Sequence, residues 1–162
     1  MVGVKLRLSA GFKAFLFLIV TTLTGCASAH QYVPLPNQDV DVEQVALSRV
    51  YVLRPSTLGA ALKLTIRDEI RDVGKTGAKS FLCWERRPGQ ATIIGEAENR
   101  SSVLLDLEAG KRYYVKQGIR MGVMMARNEL EVLDDEEGRR LLSKCRKPAV
   151  KTDKAPPLPE KV

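Results

Sequence analysis

Histidine is nearly absent from this 162-residue chain: His30 is the only one. That scarcity removes the residue on which Ser–His–Asp triads and His-type zinc sites depend. Aromatic residues make up only 6%, and no apolar run reaches the roughly 20 residues that a bilayer-crossing helix needs. Both argue against a multispanning helical membrane protein. There are no collagen-like, coiled-coil or solenoid repeats, no long run of like charge, and no basic stripe interleaved with aromatics, so nucleic acid is not an expected partner. What is present, 44% hydrophobic and 28% charged residues, suits one small packed domain with terminal extensions.

The N-terminus divides into a basic start with Lys5, Arg7 and Lys13, an apolar run from Ala14 to Val20, and small residues ending at Gly25. This is the layout of an export signal. The residues that follow, Leu23-Thr24-Gly25-Cys26, resemble the lipobox of bacterial lipoproteins. The resemblance implies that cleavage follows Gly25 and that Cys26 becomes the first residue, carrying diacylglycerol on its thiol and an acyl chain such as palmitate on its amine. Several chains are needed because each buried CH₂ contributes about 0.8 kcal/mol, so a single chain holds only marginally. Ala27, in place of Asp, implies sorting to the outer membrane, facing the periplasm. Loss of residues 1–25 removes three positive charges and no acid, so the formal charge falls from +7 to +4.

Residues 26–43 contain Pro34 and Pro36 among small polar residues and show no apolar period, which predicts a flexible lipidated tether. At ~3.3 to 3.6 Å per residue it would hold the domain up to about 50 Å from the lipid. Residues 148–162, rich in Pro and Lys, predict a disordered tail. Between them, residues 44–147 are dominated by alternation. Leu62, Leu64 and Ile66 alternate with Lys63, Thr65 and Arg67, and Val103, Leu105 and Leu107 with Leu104, Asp106 and Glu108. Both read as strands, although Leu62, Ile66, Ile70 and Val73 would also line one side of a helix. Val50-Tyr51-Val52-Leu53 is apolar on both faces and suits a central strand. Phe81–Trp84, Ala91–Ile94 and Arg112–Val115 are aromatic and β-branched, and Arg87-Pro88-Gly89-Gln90 and Ala109-Gly110-Lys111 supply turns.

From Asp134 to Lys147 acids come first and bases last, which complements a helix dipole. Asp134 and Glu137 fit a cap, Gly138 is a weak point, and Leu141, Leu142 and Cys145 share a face able to cover a sheet. The fold expected is mainly β: an antiparallel β-sandwich or small barrel with one C-terminal α-helix. From about Ala46 to Cys145, the opening Val50-Tyr51-Val52-Leu53-Arg54-Pro55, the Val73-Gly74 step, the aromatic strand before Arg87-Pro88-Gly89 and the run Leu107-Glu108-Ala109-Gly110-Lys111-Arg112-Tyr113-Tyr114-Val115 resemble a family of small bacterial envelope lipoproteins. Their central module is a domain of unknown function, and the resemblance implies a β-rich fold without a reaction, cofactor or catalytic residues.

Cys83 and Cys145, 62 positions apart, are expected to form a disulfide, since export places them where such bonds persist. Closing that loop would contribute up to about 4 kcal/mol. Two separate buried thiols are the alternative. With no Cys-x-x-Cys and His30 in the tether, a thiol enzyme is disfavoured. Asp68-Glu69 and Asp134-Asp135 read as a turn and a helix start rather than as paired catalytic carboxylates. Gly74-Lys75-Thr76 lacks the glycine that a phosphate loop requires five positions earlier, where Glu69 stands, and predicts an inter-strand loop. Met121, Met124 and Met125 are core fillers or, as soft thioethers, Cu(I) ligands. The expected function is a membrane-anchored, non-catalytic binding or scaffolding module without cofactor, meeting an envelope protein or the cell wall. A small-ligand or Cu(I) carrier is the alternative, and an envelope hydrolase a remote one.

Overall fold

A computed structural model describes residues 28–42, 44–69, 71–121 and 126–151. Among them the elements run β1 (His30–Gln31), β2 (Ser48–Arg54), β3 (Leu64–Asp68), β4 (Arg71–Thr76), β5 (Ser80–Arg86), β6 (Gly89–Glu96), β7 (Arg100–Leu107), β8 (Arg112–Met121), β9 (Ala126–Leu133), α1 (Asp135–Leu142) and β10 (Ala149–Val150). The strands form two sheets, ordered β10-β1-β4-β3-β6-β7 and β5-β2-β8-β9. The mainly β sandwich with one C-terminal helix is thus the fold of the chain. Its pairing is antiparallel except between β2 and β8 and between β1 and β10.

The double-sided apolar character of β2 has a direct cause, because all seven of its residues are buried. Val50 and Val52 face the other sheet, packing with Leu82, Trp84 and Val115 against Ile66, Val73, Ile93 and Leu105. Tyr51 and Leu53 point the opposite way and join Phe81, Cys83, Tyr114 and Leu133 beneath Leu141 of α1 and Leu35. The second sheet is therefore a middle layer, and each such fully buried aliphatic side chain contributes about 1.5–3 kcal/mol.

The helix begins where the acids predict. Asp134 is the N-cap and its Oδ1 accepts from the Glu137 backbone N–H at 2.8 Å, satisfying one of the first-turn donors that a helix leaves unpaired. Gly138 has a packing role: a Cβ there would lie 2.2 Å from Cγ of Tyr114, so the glycine lets α1 settle on that ring.

Three expectations are corrected. Residues 28–42 are not a loose tether, since β1 pairs with β4 and β10, Gln31 is fully buried and Ala29 and Val33 nearly so. The proline-bearing stretch lacks an apolar period because only alternate single residues dock. Gly74-Lys75-Thr76 is not a loop but the end of β4; a Cβ on Gly74 would meet the His30 carbonyl oxygen at 2.3 Å, so glycine admits β1. The tail does not begin at 148, because Ala149 and Val150 pair with β1; the rest of the expected tail, residues 152–162, lies outside the described residues.

Side chains close both open flanks of the sandwich. On one flank Gln31 Nε2 donates to the Cys83 carbonyl at 2.7 Å while its Oε1 accepts from the Cys83 N–H at 2.9 Å, replacing a missing strand partner. On the other, the Asn99 amide donates to the Asn128 carbonyl and accepts from its N–H, and Ser101 Oγ accepts from the Leu130 N–H. Edge strands of this kind otherwise template pairing with further chains.

Candidate functional site

Each end of β2 carries a buried arginine, and neither was singled out in the sequence. Arg49 Nε and Nη2 donate to Glu85 Oε1 at 3.1 and 2.8 Å, and Nη1 donates to the carbonyls of Asn37 and Val40. It clamps the segment leading into the domain. Arg54 reaches the other way: Nη1 donates to the Leu62 carbonyl at 2.7 Å, and Nη2 to those of Leu58 and Gly59. Burial lowers its pKa, and its charge is met by carbonyl dipoles that lock residues 55–63 into one shape. Gly59 completes the loop with φ of +64°, and a Cβ there would come within 2.8 Å of Ile119 Cδ1. The sequence signal was a charged residue closing an otherwise apolar strand immediately before Pro55.

A polar file crosses the sandwich interior near the same end. Thr76 Oγ1 donates to Gln117 Oε1 at 2.5 Å, and Gln117 Nε2 donates to Asn128 Oδ1 at 2.9 Å. All three side chains are buried. Together with Asn99 they tie β4, β8 and β9 in register, the specificity that a buried polar network supplies.

The expected disulfide is not formed: Cys83 and Cys145 are free thiols. The register explains why. Cys83 pairs with Tyr51, whereas Arg146 bridges to Ser80, three residues along β5. At ~3.3 Å per residue that offset is about 10 Å, beyond the ~7 Å over which two cysteine Cα atoms can be joined. Burial pushes the Cys83 thiol up to about 12, with hydrogen bonds from Gln38 and Tyr51 only partly opposing it, and pushes Cys145 up to about 11. Both side chains pack in the layer under α1.

The other candidates fall as follows. Asp68 is buried and accepts from Trp84 Nε1 at 3.0 Å and from Arg86 Nη1, so its carboxylate positions the core tryptophan, and the Asp68-Glu69 pair opens the β3–β4 hairpin. Asp134 and Asp135 start the helix. His30 is held in β1, its Nε2 3.4 Å from Lys63 Nζ. Met121 ends β8; Met124 and Met125 lie outside the described residues, as do Leu23, Thr24, Gly25 and Cys26. Among the described residues no group of three His, Cys, Asp or Glu side chains is placed to hold a metal ion, and no helix is long and apolar enough to cross a membrane.

The strand directions bring one set of segments to the end where the chain joins the domain. The Lys79 N–H donates to the Ser56 carbonyl and the Lys79 carbonyl accepts from Arg146, while the Ala149 N–H donates to Ala29. Ser28, Ala29, Ala78, Ser80, Arg146 and Lys147 surround a shallow cleft there. The N-terminal segment, the Arg54-locked loop and the C-terminal segment thus form one continuous surface.

These features define a two-sheet β-sandwich with a covering helix and a basic end at its N-terminal junction. No family model matches the chain. It is similar to an uncharacterized protein of Haemophilus influenzae, with 30% identity over 98 residues, 60% of this chain and 58% of that protein's length.

Proposed function

We propose that the chain is a bacterial envelope lipoprotein, acylated on Cys26, whose sandwich acts as a non-catalytic binding or scaffolding module on the periplasmic side of the outer membrane. The observation that carries this reading is Leu23-Thr24-Gly25-Cys26 behind a basic start and a short apolar run. The placement of the ionisable groups supports the second half. Asp68 orients Trp84, Arg49 and Arg54 clamp loops, and the two thiols are held protonated by burial. Each is committed to the fold.

Intact-mass spectrometry of the protein from its native bacterium tests the anchor. A chain beginning at Cys26 with a diacylglyceryl group and an acyl chain is expected, and Cys26→Ser leaves unprocessed, unlabelled precursor. An unacylated native polypeptide refutes the reading. Reproducible turnover of peptidoglycan or ester substrates by the purified protein refutes its non-catalytic part.

A further inference from the structure

We infer that the end of the sandwich formed by residues 28–29, 56–63, 79 and 146–147 docks on an anionic phospholipid surface, with Leu58 and Leu62 entering the headgroup layer and Lys63, Lys79, Arg146 and Lys147 facing lipid phosphates. This inference rests on the acyl anchor at Cys26, and adds to it an orientation and a contact surface.

Distance is the first argument. Ser28 already belongs to the packed domain, and Ala29 is buried. Two residues from Cys26 to Ser28 span at most about 7 Å, so acyl chains on Cys26 bring this end, and no other, against the headgroups.

The chemistry of the surface is the second. Leu58 and Leu62 are 45% and 42% exposed, although the Arg54 guanidinium holds the loop backbone rigid by bonding three of its carbonyls. A loop fixed with its apolar side chains outward loses little conformational freedom on insertion. Around it Lys63, Lys79, Arg146 and Lys147 are exposed, and none forms an ion pair with a described residue. Of the acids near this end, Glu96 is engaged by Arg100 and Glu129 by Arg120, which leaves Glu98 in the β6–β7 turn as the exposed acid against these four bases. Exposed apolar tips inside a ring of cations without carboxylate partners match the surface of an anionic leaflet, which attracts basic groups lying within a Debye length.

The opposite end differs in the property that matters. It also exposes an aliphatic side chain, Val45 at 81%, but among Asp41, Glu108 and the acidic first turn of α1. Two of its bases are engaged, Lys111 by Glu108 and Arg112 by Asp41, and Arg87 in the β5–β6 turn is the exposed base without an ion pair to a described residue. Anionic lipid repels that end.

The test uses the acylated full-length protein in phosphatidylethanolamine vesicles with or without phosphatidylglycerol. An environment-sensitive fluorophore is attached at Ala61→Cys or at Glu108→Cys, in a Cys145→Ser background. The docked pose predicts that the label at 61 is quenched by lipid-borne nitroxide and several-fold less by aqueous iodide than the label at 108, and that this contrast depends on phosphatidylglycerol. Joint Lys63→Glu, Lys79→Glu and Lys147→Glu substitution abolishes the contrast while the acyl chains keep the protein on the vesicle. Equal iodide quenching at both positions in protein whose mass shows the acyl chains overturns the docking and leaves the anchor standing. A contrast indifferent to phosphatidylglycerol overturns the role assigned to the basic rim. A mass without acyl chains removes the anchor, and this pose with it.

Discussion

Replacing Gly138 by alanine ordinarily improves a helix by about 1 kcal/mol, yet here it is expected to destabilise the protein. The added methyl would lie 2.2, 2.4 and 2.7 Å from Cγ, Cδ2 and Cβ of Tyr114, and that ring cannot swing aside. Tyr114 is 1% exposed and stacks on Tyr51 with centroids 5.1 Å apart. Forcing a methyl into such a site costs roughly 1–3 kcal/mol or more, which exceeds the propensity gain. Because the ring is buried and stacked, the cost falls in the upper part of that range and the net loss is about 1–2 kcal/mol, seen as a lower urea midpoint at unchanged slope and a melting temperature lower by several degrees. A double-mutant cycle isolates the cause. In a Tyr114→Ala background the space exists, and Gly138→Ala then stabilises by about 1 kcal/mol. A higher urea midpoint for the single substitution in the native background refutes the claim that α1 needs glycine to reach the sheet.

The flank stitched by Gln31 is the next test: Gln31→Leu leaves the Cys83 N–H and carbonyl without their reciprocal partner and costs about 2–4 kcal/mol, with faster hydrogen exchange at the Cys83 amide. An unchanged urea midpoint contradicts the stitch. Alkylation followed by mass analysis should modify both Cys83 and Cys145 once the protein is unfolded without reductant, and in the native protein should modify Cys145 ahead of buried Cys83; protection of both in unfolded, unreduced material restores the disulfide. The raised thiol pKa values carry a sign for stability. Unfolded thiols ionise near pH 9 while folded Cys83 keeps its proton to about 12, so the unfolded state binds fewer protons in that window and stability falls as pH rises from about 9 to 12. Cys83→Ala flattens that fall, and an equally steep alkaline loss in the variant assigns it to other groups.

Strands whose side chains alternate between core and solvent were legible from the sequence, as were the turns at Pro88-Gly89 and Gly110. The β3 segment that also fitted a helix is a strand, because Ile66 faces the core and Thr65 does not. The helix start was legible because capping is local chemistry. Where contacts are made by single residues, the sequence carried no period to read. β1 is two residues long, and its hold depends on one glutamine reaching a strand far along the chain. β9 was missed because its inward positions include Asn128, a polar residue buried beside Gln117, which breaks the apolar alternation. Cys83 and Cys145 share a layer but not a register, and pairing by compartment and count could not distinguish the two. The buried arginines are invisible for a related reason: the partners of Arg54 are backbone carbonyls, which every residue possesses, and the carboxylate partner of Arg49, Glu85, lies on another strand far along the chain.

Amide side chains close both flanks of the sandwich, and this ties the lifetime of the protein to a slow covalent reaction. An amide both donates and accepts, whereas the carboxylate left by its hydrolysis only accepts. Deamidation at Gln31 would keep the oxygen that receives the Cys83 N–H but lose the nitrogen that serves the Cys83 carbonyl, and would place a negative charge in a fully buried position. Hydrolysis at Asn99 would remove the donor to Asn128 in the same way. Chemical ageing of this molecule therefore opens it along its seams while the hydrophobic layers remain intact.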